Sequence, residues 1–518
     1  MRNFIYTILF IFCSVCTYLN AQPLYSDYYI NPLGTWSGLN GGAIMMDDTT
    51  YIAGIGGGLG YAEKSIIFGK LNSEGEMVFM KTYGEQYFRY YPGFRGCFRP
   101  IGQKNYIFVV AKEDMITDFY SSILYYLNHN FDTLLSKEFT IAEGVATIAR
   151  QIIPAFDDGY YVTGMHGPLN DSTQNSSFFI LKTDPVFNID WQKSYPLTWQ
   201  TEALYMVKTP DNGLLISGFT RDQPSAYSMK PLVVKADSLG NILWIWNEGS
   251  IYDDGLSVVA IASDGNYLAA YTHAVYQGTP YPVPPSRRIL RVLKFDPDGE
   301  ILWEKDYGSA TDIDNEVTWI HSYEDGTHLI GGYQWADSVL RWTSYILKIN
   351  NDGDSLWMRF YEHEDASGIA KLNGIYYMNV TPCNGILATG MIVQYGVPGG
   401  VQAMWILHLD SLGCVEQGCD PTVGLPHAFY QNSAGLSVYP NPATNICYIH
   451  IPEDFSRTGK PYFLVNLYNS QGILVQQTRR KSGDEIVGLD TSHLAPGLYL
   501  LQLTDGSENN YQAKLIVQ

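Results

Sequence analysis

Asp211-Asn212-Gly213-Leu214-Leu215-Ile216-Ser217-Gly218, followed by Leu232-Val233-Val234-Lys235-Ala236-Asp237-Ser238-Leu239-Gly240, is the stretch from which the fold can be read. Asn-Gly accepts the positive backbone angles of a tight two-residue turn, and the runs beside it are rich in the aliphatic residues that strands favour. The second segment repeats the logic: an apolar run, a lysine, a short polar turn and a glycine. Together they predict strands at 203–208, 214–219, 232–236 and 242–247, joined in pairs at the turns into one antiparallel sheet.

Working outward, the second segment recurs at 66–75, 122–131, 178–187, 292–299, 346–353 and 405–413. Its lysine position is held by Lys70, Tyr126, Lys182, Lys235, Lys294, Lys348 and His408, spaced 56, 56, 53, 59, 54 and 60 residues apart. The first segment recurs at 157–164, 263–269, 324–332 and 383–390. Self-similarity at such a period fixes the architecture, and seven four-stranded units predict an all-β, seven-bladed β-propeller over 22–414. An open stack of sheets would expose long strand edges and need distinct capping repeats. Trp191, Trp244, Trp303 and Trp357 recur at one place in the fourth strand and are expected to fill the wedge between neighbouring blades.

The seventh unit lacks its fourth strand, because Gly418 and Pro421 interrupt the chain soon after Gly413. Residues 24–30, Leu-Tyr-Ser-Asp-Tyr-Tyr-Ile, have the composition and length of one strand. They are expected to dock as the outer strand of the last blade and close the ring. The repeat as a whole, Asp-Gly, an apolar strand, Gly, then Leu-Lys-x-Asp-x-x-Gly-x-x-x-Trp, covers about residues 30–415. It resembles the delta-type and Kelch-like seven-bladed repeats of secreted Bacteroidetes proteins. That resemblance implies an architecture and leaves activity open, since propellers host hydrolases, lyases, lectins and scaffolds alike.

Both ends of the chain read as export signals. Met1-Arg2-Asn3, an apolar run from Phe4 to about Val15, and small and polar residues to Ala21 have the three parts of a secretory signal peptide, 1–21. No other run approaches the about 20 apolar residues of a membrane helix. A linker is expected at 415–435, and at 436–518 a new period-two pattern argues for a small β-sandwich. Four motifs follow in order there: Val438-Tyr439-Pro440-Asn441-Pro442, the run 467–475 with its turn at Gly472, the run 489–501 containing Gly497 and Tyr499, and the terminal Lys514-Leu515-Ile516-Val517. They resemble the type A C-terminal sorting domain of the type IX secretion system. The resemblance implies an Ig-like sandwich that partners the outer-membrane translocon and its sorting machinery. It further implies removal of the tail, with the cargo left free or on surface lipopolysaccharide. The chain departs from many members by ending in Gln518 rather than a basic residue.

Composition narrows the remaining choices. With 46% hydrophobic and 16% charged residues the chain is too apolar to be disordered. A net charge of −20 would repel nucleic acid and anionic headgroups. Beyond the leader, cysteines are few, and Cys414 and Cys419 stand close enough to bridge a small loop. Asp296-Pro297-Asp298-Gly299 and 350–354 look like calcium loops, yet they fall on the turn of the repeat, which needs Asp, Asn and Gly for its own geometry. The glycines of 54–60 open no helix that could hold a phosphate, and no GxSxG or HExxH is present. His363 and Glu364 adjoin without a second histidine to make a metal pair. Tyr87, Tyr90, Tyr91, Tyr276 and Tyr281, with Arg89, Arg95 and Arg99, suit a glycan- or protein-recognition surface, although Tyr is also an ordinary strand residue. No acid and base pair stands apart from the turn residues, so no catalytic, metal or cofactor site is expected. The sequence points to a secreted or cell-surface, non-enzymatic binding protein, with a polysaccharide hydrolase or lyase acting at the propeller axis as the alternative. Carboxylates gathered around the central opening would favour the enzyme, and a small, apolar lining the binder.

Overall fold

In the computed structural model the described residues run from 25 to 517, excepting 30–36, 47–48, 58–63, 94–95, 103, 169–174, 223–228, 251, 276–287, 309–312, 337–341, 364–370, 383, 395–400, 416–436, 440–442, 452–461, 470–473, 482–485, 496 and 505–509. All regular structure among them is β, and the chain divides into two units, Met1–Pro426 and His427–Gln518.

The first unit is a β-propeller. The fourth repeat forms Gln200–Lys208, Leu214–Arg221, Met229–Ala236 and Ile242–Trp246, hydrogen-bonded in that order and within a few residues of the expected strands. The same meander is drawn by Ser37–Met46 to Met77–Tyr83, Thr147–Pro154 to Ile189–Tyr195, Ser257–Ile261 to Ile301–Tyr307, and Ile313–Ser322 to Ser355–Tyr361. In the second repeat the inner strand is split into Phe88–Pro92 and Phe98–Ile101. The last repeat contributes Lys371–Val380, Ile386–Gln394 and Val401–Leu409. Its missing strand is supplied from the other end of the chain. Tyr25–Tyr29 pairs antiparallel with Val401–Leu409, in a register running from Tyr25 opposite His408 to Tyr29 opposite Met404. Among the described residues this makes seven four-stranded groups, compatible with seven blades.

Packing shows why the repeat carries its particular residues. Each inner strand lies against the inner strand of the next group, and Ser37–Met46 lies against Lys371–Val380, so the ring is closed. At that seam a Cβ on Gly42, whose φ is +106°, would stand 2.9 Å from the Tyr377 ring. The outer-strand tryptophans do fill the wedges: Trp191 covers Gly240, Trp244 covers Gly299, Trp303 covers Gly353 and Trp357 covers Gly413, each glycine belonging to the next blade's outer turn. Two residues further on, Lys193 donates to Asn241 and Lys305 to Asp354, both at 2.7 Å. Two beyond those, the hydroxyls of Tyr195, Tyr307 and Tyr361 donate to the carbonyls of Gly240, Gly353 and Gly413. Trp-x-Lys-x-Tyr is therefore a clasp from one blade to the next. Its strength lies in the packing of the rings, partly buried in Trp191, Trp244 and Trp303 and buried in Trp357, because exposed polar contacts contribute little.

The lysine of the third strand has a different task. Lys182 meets Asp157 at 2.9 Å, the fully buried Lys235 meets Asp211 at 2.8 Å, and Lys294 meets Asp264 at 2.6 Å. Each aspartate comes from the inner hairpin turn of the same blade. A buried ammonium left without that carboxylate would cost about 3–5 kcal/mol, which accounts for the recurrence of Asp in the turn and Lys in the strand.

The second unit has two sheets. Ser437–Tyr439, Ile446–His450 and Ile486–Asp490 form one, and Leu474–Lys481, Tyr462–Tyr468, Gly497–Thr504 and Asn510–Val517 form the other, in those orders. Cys447, Ile449, Val487 and Leu489 from the first share a core with Phe463, Val465, Leu501, Leu503 and Leu515 from the second. Such an arrangement is compatible with the expected sandwich.

Two outcomes follow. Removing residues 22–30 should expose the edge of Val401–Leu409 and lower the propeller's Tm by ~5 °C or more, since each lost ladder bond is worth about 0.5–1.5 kcal/mol. Calorimetry and size-exclusion chromatography check it, and an unchanged Tm with no association would refute the closure. The second concerns His321, whose pKa burial lowers to about 4, with His328 nearby adding to the effect. The unfolded chain then binds a proton that the folded chain refuses, so this contribution is full above about pH 6.5 and is lost toward pH 4, by about 3 kcal/mol. Urea titrations of His321→Gln across that range should show a flatter acid limb than the parent.

Candidate functional site

The two ends of the ring are built differently. At one, two-residue turns join the first and second strands, with Asn212 and Asn384 both at φ +60°. At the other, the inner strands begin and the longer second-to-third connections leave the sheets. Charged residues collect at this loop-bearing end. Arg150, near the start of Thr147–Pro154, is paired with the buried Glu202 of the next inner strand. Asp254 is fully buried, and its carboxylate accepts hydrogen bonds from the backbone N–H groups of Ala274 at 2.7 Å and Ser250 at 2.5 Å. His273 Nδ1 stands 3.4 Å from Asp254 Oδ1, too poorly aligned for a hydrogen bond.

The densest group spans the fourth to sixth blades. Arg288 begins a third strand of the fifth blade and crosses to the inner strand of the sixth. It donates from Nε and Nη2 to the two oxygens of Asp314, at 2.9 and 3.3 Å, and places Nη1 3.3 Å from Glu316. Asn315, between those carboxylates, donates to the Arg288 carbonyl at 2.8 Å. Asp314 and Glu316 share a face because strand side chains alternate. Asp253 lies within the field of Arg288 and Arg221, accepting a bond from the Met229 N–H at 2.9 Å. Burial pushes its carboxyl above the usual range and Asp254 adds to that, against the Met229 N–H and the two arginines. On the neighbouring strands Thr220 Oγ1, Arg221 Nε, Thr272 Oγ1 and His273 Nδ1 are buried without hydrogen-bond partners among the described residues. Orphaned polar atoms grouped on neighbouring strands suit a place that a ligand or water completes.

The sequence-derived candidates fall elsewhere. Tyr90 is core, Tyr87 is exposed with φ +69°, and Tyr91 lines a cavity in the second and third blades. Arg95, Tyr276, Tyr281 and Glu364 lie outside the described residues. In the turn at 296–300 Asp296 accepts from the N–H groups of Asp298 and Glu300, and in that at 350–354 Asn350 does so from those of Asp352 and Asp354. Cys414 is disulfide-bonded, whereas Cys97 and Cys447 are buried thiols; Cys419 lies outside the described residues. Of the sorting residues, Tyr439 stands in the strand paired with Ile446–His450, and Gly497 pairs with Val517. Tyr499 is buried, its hydroxyl donating to the Ala495 carbonyl at 2.8 Å, and Lys514 is exposed on the last strand. Pro440, Asn441, Pro442 and Gly472 lie outside the described residues. Asp253, Arg288, Asp314 and Glu316 were not among the candidates. Their signal was present as charges at strand beginnings that the repeat does not call for.

Comparison with known proteins bears on each unit differently. Residues 437–518 match the secretion system C-terminal sorting domain. The chain therefore carries a type IX sorting tail and is a secreted protein exported by that route. No curated protein matches the chain in sequence. Similar solved structures include an acylaminoacyl peptidase of Pyrococcus horikoshii (12% identity, 71% of this chain, TM-score 0.37), of whose length this chain covers about half, 52%. An α-L-arabinofuranosidase of Fusarium graminearum is similar at 9% identity over 74% of this chain and 97% of that one, with a TM-score of 0.35. An ancestral GH74 enzyme is similar at 9% identity over 96% and 64%, with a TM-score of 0.41.

The expectation of a non-enzymatic protein is corrected here. Its own criterion was a small, apolar lining, and the inner strands instead bring Glu202, Asp314 and Glu316 to the loop-bearing end, with Asp253, Asp254 and His273 beside them. For the tail, deletion of residues 435–518 should leave the propeller folded but held in the periplasm. Fractionation with immunoblotting checks it, and normal extracellular levels of the truncated chain would refute it.

Proposed function

We propose that the chain is an exported glycoside hydrolase whose site is the carboxylate cluster at the loop-bearing end of the fourth to sixth blades. The carrying observation is the division of labour around Arg288. Asp314 is engaged through both oxygens and fixes the guanidinium, while Glu316 touches it through one nitrogen only. Asp253 lies near the same arginine with its carboxyl held toward the protonated form. Glycosidic cleavage asks for that asymmetry: one carboxyl that donates a proton to the leaving oxygen, and one carboxylate that attacks or activates water and faces the positive charge developing on the sugar ring. Asp253 takes the first role and Glu316 the second. Arg288 and Asp314 are positioning residues. The tail engages the type IX translocon, and its removal leaves the propeller on surface lipopolysaccharide or in the medium. A bridge from Cys414 to Cys419 would close the propeller's last turn.

The test is release of new chain ends from a panel of polysaccharides by the mature chain. Asp253→Asn and Glu316→Gln should each lower kcat by about 100-fold or more at unchanged Tm. Asp253 donates only while protonated, so the rate should fall as pH rises through its pKa. Its raised pKa puts that limb at higher pH than an ordinary Asp near about 3.9 would, and Asp253→Asn should abolish the limb. Unsaturated product ends would reassign the chemistry to a lyase. Absence of any chain ends, or full activity in both variants, would overturn the reading.

A further inference from the structure

The propeller axis brings together polar groups from opposite sides of the ring. Gly96, between Phe88–Pro92 and Phe98–Ile101, has φ +94°, a backbone angle that suits glycine at the step in the second blade's inner strand. A Cβ built there would have Arg99 Nη2, Gln151 Nε2 and the Cη2 edge of the Trp319 ring each at 3.3 Å. These residues stand on the inner strands of the second, third and sixth blades. Side chains from blades so far apart in the ring meet only near its axis.

Aromatic rings close the axis at this depth. The Trp319 ring centroid lies 4.5 Å from that of Tyr377 and 5.6 Å from that of Tyr205, whose hydroxyl donates to the Thr318 carbonyl at 3.0 Å. They leave a polymer no passage to the point where the three groups meet. Gln151 is 1% exposed and Trp319 9%, so both are more than nine-tenths buried. The Met206 N–H donates to Gln151 Oε1, which fixes the amide and leaves Nε2 as the group facing Gly96. Nε2 donates to no described residue, and Arg99 Nε and Trp319 Nε1 are buried without hydrogen-bond partners among them. The three side chains thus offer donors with nothing to accept from them.

Nor does a carboxylate of the described residues answer the Arg99 charge. Those on the neighbouring inner strands are engaged elsewhere: Glu202 with Arg150, and Asp314 and Glu316 with Arg288. Glu113, on the second strand of Arg99's own blade, meets Arg89. Burial pushes the Tyr377 phenol up, and the Arg99 charge works against that shift while Cys97 adds to it. Burial likewise pushes the Cys97 thiol up, again opposed by Arg99. Both groups stay neutral near pH 7, and among the described residues Arg99 is the one charged side chain acting on either.

We propose that the axis holds one chloride ion between Arg99, Gln151 and Trp319, a structural ligand that ties the second and third blades to the sixth. A guanidinium supplies the charge-assisted N–H groups that an anion takes, and the amide and indole N–H groups complete the set. Water would bring two O–H groups of its own to a place bounded by donors. Sulfate or phosphate would bring a second charge and more acceptor oxygens than one guanidinium and two further N–H groups can answer. None of the three residues belongs to the carboxylate cluster, so the inference is independent of the hydrolase reading.

Thermal unfolding of the mature chain in chloride, bromide and gluconate at equal ionic strength tests it, together with anomalous diffraction from bromide-soaked crystals. Chloride or bromide should raise Tm over gluconate along a saturating curve, by about 2 °C or more. Bromide should give an anomalous peak beside Arg99. Arg99→Met should remove the halide dependence. Gln151→Glu keeps one oxygen for the Met206 N–H and sets the other against Arg99, so it too should lose the halide response, and it serves as the test if Arg99→Met does not fold. Equal Tm in the three salts, a halide response that survives either substitution, or bromide peaks with none beside Arg99 would overturn the assignment.

Discussion

Everything in the first unit depends on one antiparallel ladder, Tyr25–Tyr29 against Val401–Leu409. A radial array of sheets has no free inner surface once closed, but it has two ends until something joins them. Main-chain hydrogen bonds between the two ends of the propeller do the joining, and the blades between them are held in register by contacts that repeat. Without the ladder, Val401–Leu409 would present a bare edge of N–H and C=O groups to solvent, the kind of edge that recruits other chains.

Within that frame the two faces divide the work. Turn residues at the hairpin end are committed to holding blades: Asp211 to Lys235 and Asp264 to Lys294. Gly240 and Gly353 lie under tryptophan rings. Little chemistry is left over there. The opposite end carries connections that vary in length, and the charges on it pair from blade to blade, Arg150 with Glu202 and Arg288 with Asp314. Those pairs also fasten inner strands. A site built from them gains rigidity, because Glu316 and Asp253 are set by groups the ring cannot release without loosening.

The architecture was legible in the sequence because repetition multiplies a weak signal. A single Asp-Gly turn is ambiguous, but the recurrence of turn, lysine and tryptophan leaves little room for another topology, and the shortfall after Gly413 pointed to Tyr25–Tyr29. The sorting tail was legible for the opposite reason, four distinct motifs in a fixed order. The carboxylate cluster was not. Asp253, Arg288 and Glu316 are separated by 35 and 28 residues in the chain and meet only because adjacent blades bring strand beginnings together. In a linear reading they are ordinary charges near loops. The recurring lysine was legible as a repeat position but its task was not, since only the fold sets the buried Lys235 against Asp211 of the inner turn.

The closing ladder also sets a kinetic order. Tyr25 and His408 are 383 positions apart, so their pairing has almost the largest sequence separation the propeller allows. Contacts of that span form late, after the loop between them has been shortened by local structure. The middle blades, each a meander of about 50 residues, can assemble while the chain is still being delivered end first, but the first strand has no partner until the last blade exists. For that interval the protein is an open arc with one strand unplaced at its beginning and one edge uncovered at its end. Until Tyr25–Tyr29 docks, that arc keeps the edge of Val401–Leu409 open to other chains.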